Sequence, residues 1–172
     1  MPATKLAFSA QPALASTTPT FLDGPPADEL EQRVSEKITE RARQIFELSG
    51  GVPGNDEANW LQAEAEVLRG VPQIRESGTW LALSASIPEA SAQGMQIVVR
   101  PRRVLVRATA KSEQESAGDA ERQAQEIFLA ANLKVEVDPP SAAASFRDNR
   151  LNLMVRKRRP DNLTGRPENA SH

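Results

Sequence analysis

The hydrophobic pattern changes its period once, near Thr79, and that change constrains the fold more than any other feature of the chain. Before it, Leu30, Val34, Ile38, Ala42, Ile45 and Phe46 recur at steps of four, four, four, three and one, which puts them on one face of an amphipathic helix. After it, Leu81, Leu83, Ala85 and Ile87 alternate with Trp80, Ala82, Ser84 and Ser86, the period of a half-buried strand. Further strand patterns run over Met95 to Arg100, Val104 to Thr109, Ile127 to Leu133, Ala142 to Arg147 and Leu151 to Arg156. Six short strands with turn residues between them, and no long helix interleaved, predict an antiparallel β-sandwich rather than a parallel sheet.

The helical part reads as a hairpin. Asp28, with Glu31 three residues on, is the expected cap of the first helix. Ser49-Gly50-Gly51-Val52-Pro53-Gly54 breaks that helix, and Asn55-Asp56-Glu57 starts a second one. Trp60, Ala63 and Val67, flanked by Leu61 and Leu68, are expected to form its buried stripe, with Trp60 as core anchor; Gly70 and Pro72 close it. A hairpin of about forty residues is near the lower limit for burying a core unaided, so it must lean on something else. The expected organisation is a disordered arm over 1–27, the hairpin over 28–70, a linker over 71–75, the sandwich over 76–158 and a flexible tail over 159–172. Lys111 to Glu126, with five acids against two bases, is expected to be a mobile loop or frayed helix.

Composition removes most chemistry. There is no Cys, and the single His is His172; neither a thiolate site nor a histidine-based relay or metal cage can be assembled. No catalytic, metal or cofactor-binding residue is therefore expected, and the protein is read as not an enzyme. Glu64 and Glu66 lie two apart on a helix and point to different faces, so they read as solvated rather than as an acid-base pair. The net charge of -2, with a pI of 5.6, lacks the global positive field of a nucleic-acid binder, so no nucleic-acid partner is expected. Arg100, Arg102 and Arg103, and Arg156-Lys157-Arg158-Arg159, read as charged strand ends that protect sheet edges. Apolar stretches are far too short for a bilayer, and Ser9, Gln11 and Pro12 interrupt the faintly leader-like Leu6 to Ala15. No membrane association is expected, and the cytoplasm is the expected compartment.

Two stretches resemble known families. Ile127-Phe128-Leu129-Ala130-Ala131-Asn132-Leu133, then Val135-Glu136-Val137-Asp138, then Ala144-Ser145-Phe146-Arg147-Asp148-Asn149-Arg150-Leu151 resemble the closing strands and the A-x-x-x-N-G-x-L turn of the alpha-crystallin domain of small heat-shock proteins. Ile87-Pro88, Met95 to Val99 and Val104 to Val106 match its earlier strands, so the resemblance covers Glu76 to Lys157. It implies an immunoglobulin-like antiparallel β-sandwich of alpha-crystallin type. Asn149 stands where the family has Gly, which Asn's tolerance of the left-handed conformation allows. No I-x-I or I-x-V anchor follows Lys157, and the loop before Ile127 is short, so a monomer or homodimer is expected rather than a large shell. The hairpin resembles a small bacterial domain of unknown function with a G-x-P-x-G loop and a W-L-x-A-E helix. Here Ile38, Ala42, Phe46, Pro53, Gly54, Trp60, Leu61, Ala63 and Glu64 carry that pattern.

The resemblance implies an ATP-independent holdase that binds unfolded or aggregation-prone proteins under stress. The alternative is a non-catalytic protein-protein interaction module without general chaperone activity. In the resembled domain, the strands matching Met95 to Arg100 and Ala142 to Arg147 border an apolar groove that accepts extended peptides. Small side chains at Ala142 and Ala144 would leave it open, and alternation puts Val98 and Ala143 on the outward side, partly solvated.

Overall fold

The computed structural model describes residues 18–110 and 125–159. The arm before residue 18, most of the acidic loop and the tail beyond 159 lie outside the described residues. Eight strands and two helices follow in the order β1 (Thr20–Leu22), α1 (Pro25–Leu48), α2 (Asp56–Val67), β2 (Gln73–Glu76), β3 (Trp80–Ser86), β4 (Gln96–Arg100), β5 (Arg103–Ala110), β6 (Gln125–Asn132), β7 (Ala143–Arg147) and β8 (Arg150–Arg156). One sheet has the order β1-β4-β5-β6 and the other β2-β3-β8-β7. All pairings are antiparallel except β1 with β4, which is parallel. The fold is the expected mainly β, two-sheet sandwich with an N-terminal two-helix hairpin.

Three layers result, with an apolar seam at each boundary. Between the sheets, Leu81, Leu83, Ile97, Val104, Val106, Leu129, Phe146, Leu151, Leu153 and Val155 form the sandwich core. The second seam lies on the other side of the first sheet. There Leu30, Val34, Ile38 and Ile45 of α1 and Ala63 of α2 meet Val98, Leu105 and Phe128. Adjacent residues Ile97 and Val98 thus serve two different cores, as the period-two geometry of a strand requires. Each large side chain buried there contributes roughly 1.5–3 kcal/mol of gross transfer free energy. The hairpin leans on the sandwich through this seam. We call the two sheets helix-covered and open.

Several local features differ from the sequence reading. Helix α1 begins at Pro25, with Gly24 at φ 58° at the cap position, four residues ahead of the expected Asp28 cap. Two prolines at the first helical positions cost nothing, because their missing N–H groups have no intrahelical acceptor there. Asp28 instead sits in the first turn, and its carboxylate pairs with Arg100. Two further strands fall in segments that read as arm and linker. β1 pairs Phe21 with Ile97 and Leu22 with Val98, and β2 pairs Ile74 with Leu83. Asp148 and Asn149 take φ of 50° and 58° in the β7–β8 turn, the left-handed pair that a two-residue hairpin favours.

Candidate functional site

The surfaces that carry the expected groove are two strand edges and their outward side chains. Ala142 and Ala144 are half-buried against the sandwich core, and Ala143 is exposed on β7. Val98 does not join them. Its alternation is as expected, turned away from the sandwich core, but it is only 1% exposed because α1 covers it. Val98 therefore lies on the outer side of the helix-covered sheet and Ala143 on the outer side of the open sheet, opposite Met154. The expectation that Val98 is partly solvated is corrected by the helix seam. The edge of β4 is occupied as well, since Thr20 donates its backbone N–H to the Met95 carbonyl at 2.9 Å at the start of the β1 pairing. The outer edge of β7 has no strand partner among the described residues.

Ionic contacts frame the helix seam. On one flank the Glu126 carboxylate accepts from Arg107 Nη2 at 2.7 Å and meets Arg33 at 3.0 Å and Lys37 at 3.7 Å. Burial by itself pushes the Glu126 carboxyl up. The Arg107 hydrogen bond and the charges of Arg107, Arg33 and Lys37 outweigh it and hold the group below the usual carboxylate range. On the other flank, Arg100 bridges to Glu31 at 2.9 Å and to Asp28, and its guanidinium pKa is raised chiefly by the Glu31 hydrogen bond. Arg41 of α1 and Glu66 of α2 join the two helices. Glu126 was counted in sequence only among the acids of a loop. The signal that marks it is its place opposite Thr109 in an alternating strand, beside Arg107.

The hairpin signature residues divide by burial. Ile38 and Ala63 are buried, Ala42 and Phe46 are half-buried, and Pro53 and Gly54 lie in the exposed turn between the helices. Trp60 is 38% exposed and Leu61 57%; the expected core anchor is corrected to a surface residue. Asn59 and Ala63 take the buried positions of α2, a stripe rotated by about one residue from the apolar reading, because α2 meets α1 through small side chains. Glu64 is half-buried at the rim of a cleft that also exposes Leu61 and Val71.

Among the described residues, no helix is long and apolar enough to cross a membrane.

Comparison with known proteins bears on both parts of the chain. A family model described as a protein of unknown function (DUF2934) matches residues 33–69, the span of the hairpin. No curated protein matches the chain. Similar solved structures include a small heat-shock protein from Xylella fastidiosa, 18% identical, covering 59% of this chain and 94% of that one with a TM-score of 0.46. Heat shock protein 16.0 from Schizosaccharomyces pombe is 12% identical, with coverage of 55% and 78% and a TM-score of 0.45. The hspA protein of Xanthomonas axonopodis is 21% identical, with coverage of 52% and 96% and a TM-score of 0.43. The chain is thus similar to DUF2934 over its hairpin and to small heat-shock proteins over somewhat more than half its length.

Proposed function

We propose that the protein is an ATP-independent holdase of the small heat-shock type, cytoplasmic and non-catalytic, which binds unfolded or aggregation-prone chains under stress. The observation that carries this reading is the outer edge of β7, which has no strand partner among the described residues and is flanked by the small side chains of Ala142, Ala143 and Ala144. An extended client can add a strand there through main-chain hydrogen bonds, with no side chain large enough to hold it off. The outer edge of β2, with Ile74 41% exposed, likewise has no strand partner among the described residues. The assembly expected is a monomer or homodimer. Heating an aggregation-prone model protein with the full chain, without nucleotide, should give stoichiometric suppression of light scattering. Ala143→Asp should weaken it while leaving the melting temperature unchanged. Absence of suppression at equimolar chain would overturn the reading.

A second reading is favoured by one observation: β1 already occupies the β4 edge, and the hairpin already covers Val98 and Leu105. Two surfaces that would serve general client binding are filled by the chain itself. A docking module for one specific partner fits that arrangement. It would show a single saturable partner in cell extract and no effect on model-protein aggregation.

A further inference from the structure

Charge in this protein is segregated in a way that its net value of -2 conceals. On the helix-covered side most cations are matched: Arg33, Lys37 and Arg107 meet Glu126, Arg100 meets Asp28 and Glu31, and Arg41 meets Glu66, while Arg103 has no ion pair among the described residues. The open sheet is different. Strand register puts Arg75, Trp80, Arg147, Arg150, Met154 and Arg156 on its outer face. Between them lie only small or neutral side chains, chiefly Ala82, Ser84, Asn152 and Ser145. The outward strand positions of this face hold no Asp or Glu, and none of its four arginines makes an ion pair among the described residues.

At one end the face deepens into an open hollow of ≈ 840 Å³ lined by Trp80, Arg156, Lys157, Arg158 and Arg159. The Arg156 guanidinium sits 5.2 Å from the Trp80 ring centroid. Lys157 is neutralised by Glu76, and Asp138 stands at the rim. At the other end, Arg147 and Arg150 face each other across the β7–β8 turn, near Asp148. Arg150 and Arg156 are six residues apart on one strand, a span of about 20 Å.

We infer that the outer face of the open sheet binds single-stranded nucleic acid. Guanidinium groups at both ends match phosphate oxygens in bidentate geometry. Trp80 offers a stacking surface for a base, and Ser84, Asn152 and Ser145 offer hydrogen bonds to base edges while letting them approach the sheet. An acidic protein would use the arginines but has no need of Trp80. A duplex hides the base faces that the ring would stack on. The proposal is independent of the holdase reading.

The test is anisotropy of a fluorescein-labelled oligodeoxythymidine titrated with the full chain across a range of salt concentrations. If about four phosphates are contacted, log affinity should fall with log salt at a slope of about -3. The double variant Arg150→Glu/Arg156→Glu should weaken binding by more than about ten-fold, and Trp80→Ala by about ten-fold. Arg43→Glu, exposed on α1 and so on the far side of the helix-covered sheet, should change nothing. In a Trp60→Phe background, the oligonucleotide should quench the remaining Trp80 fluorescence, a readout that needs no change to the face itself. Absence of binding at low salt, or affinity untouched by the double variant, would overturn the proposal. So would displacement by polyglutamate with Trp80→Ala silent, which would make the face an acidic-protein site, or equal affinity for duplex with no Trp80 quenching.

Discussion

The two sheets share one core and differ in what their outer faces meet. Outside the helix-covered sheet stand Val98, Leu105 and Phe128, all at most 3% exposed beneath α1 and α2. Outside the open sheet stand arginines, serines, Met154 at 49% exposure and Trp80. One strand pattern therefore has two meanings. Alternation tells which side chains leave the sandwich core, but only the neighbouring element decides whether leaving that core means reaching water.

Removing residues 1–70, which takes away both helices and β1, breaks the comparison most severely. The sandwich should still melt cooperatively, because its own core draws only on β3 to β8 and their connections. It should melt at a lower temperature, bind a hydrophobic dye strongly and self-associate by light scattering, since Val98, Leu105 and Phe128 then form an exposed apolar patch. A non-cooperative melt would show that the hairpin is part of a single folding unit.

The same contrast can be read from one pair of substitutions. Val98→Asp puts a carboxylate into the helix seam and should cost about 4 kcal/mol or unfold the protein. Met154→Asp, also outward-facing but on the open sheet, should cost less than about 1 kcal/mol. Equal costs in chemical denaturation would mean that the hairpin does not cover β4 in solution.

Glu126→Gln should act between these limits, at about 2 kcal/mol, because it leaves an oxygen to accept from Arg107 but removes the negative charge that faces Arg107, Arg33 and Lys37. A pH titration sharpens this. The Glu126 carboxyl is depressed in the folded protein, so its contribution is fully present above the unfolded value of about 4.3. It is lost as pH falls through the lower folded value. The wild type should lose stability over that acid window more steeply than Glu126→Gln. Parallel curves would show that the carboxylate is not coupled to its three cations. The smallest effect is expected at Arg147→Glu, within about 0.5 kcal/mol, because that guanidinium has no ion-pair partner among the described residues.

The six longer strands and both helices were legible in the sequence because each repeats its period over enough residues to be distinguished from chance. β1 and β2 were not. They are three and four residues long, with little burial and no alternation, and their main chains are held by pairing with β4 and β3 rather than by side-chain pattern. The cover over Val98 did leave a trace. Ile97-Val98-Val99 and Val104-Leu105-Val106 are continuous apolar runs, the mark of a strand buried on both faces, and the hairpin needed a surface on which to rest. Trp60 falls at the helical spacing of the other apolar residues and yet stays at the surface, because Asn59 and Ala63 take the buried positions of α2. The cationic face was hidden by averaging: total charge sums over sides of the molecule that a ligand meets separately.

The seam under α1 also sets an order of events on the ribosome. Arg33 and its partner Glu126 are 93 residues apart in the chain, and Phe128 lies further still. At elongation rates of about 5–20 residues per second, α1 emerges roughly 5–20 seconds before the last strand it rests on. Until β6 is made, the apolar stripe of Leu30, Val34, Ile38 and Ile45 lacks the complete sheet that it covers. A nascent chain of this protein therefore spends its synthesis as the kind of sticky, incompletely folded polypeptide that must itself be kept from aggregating.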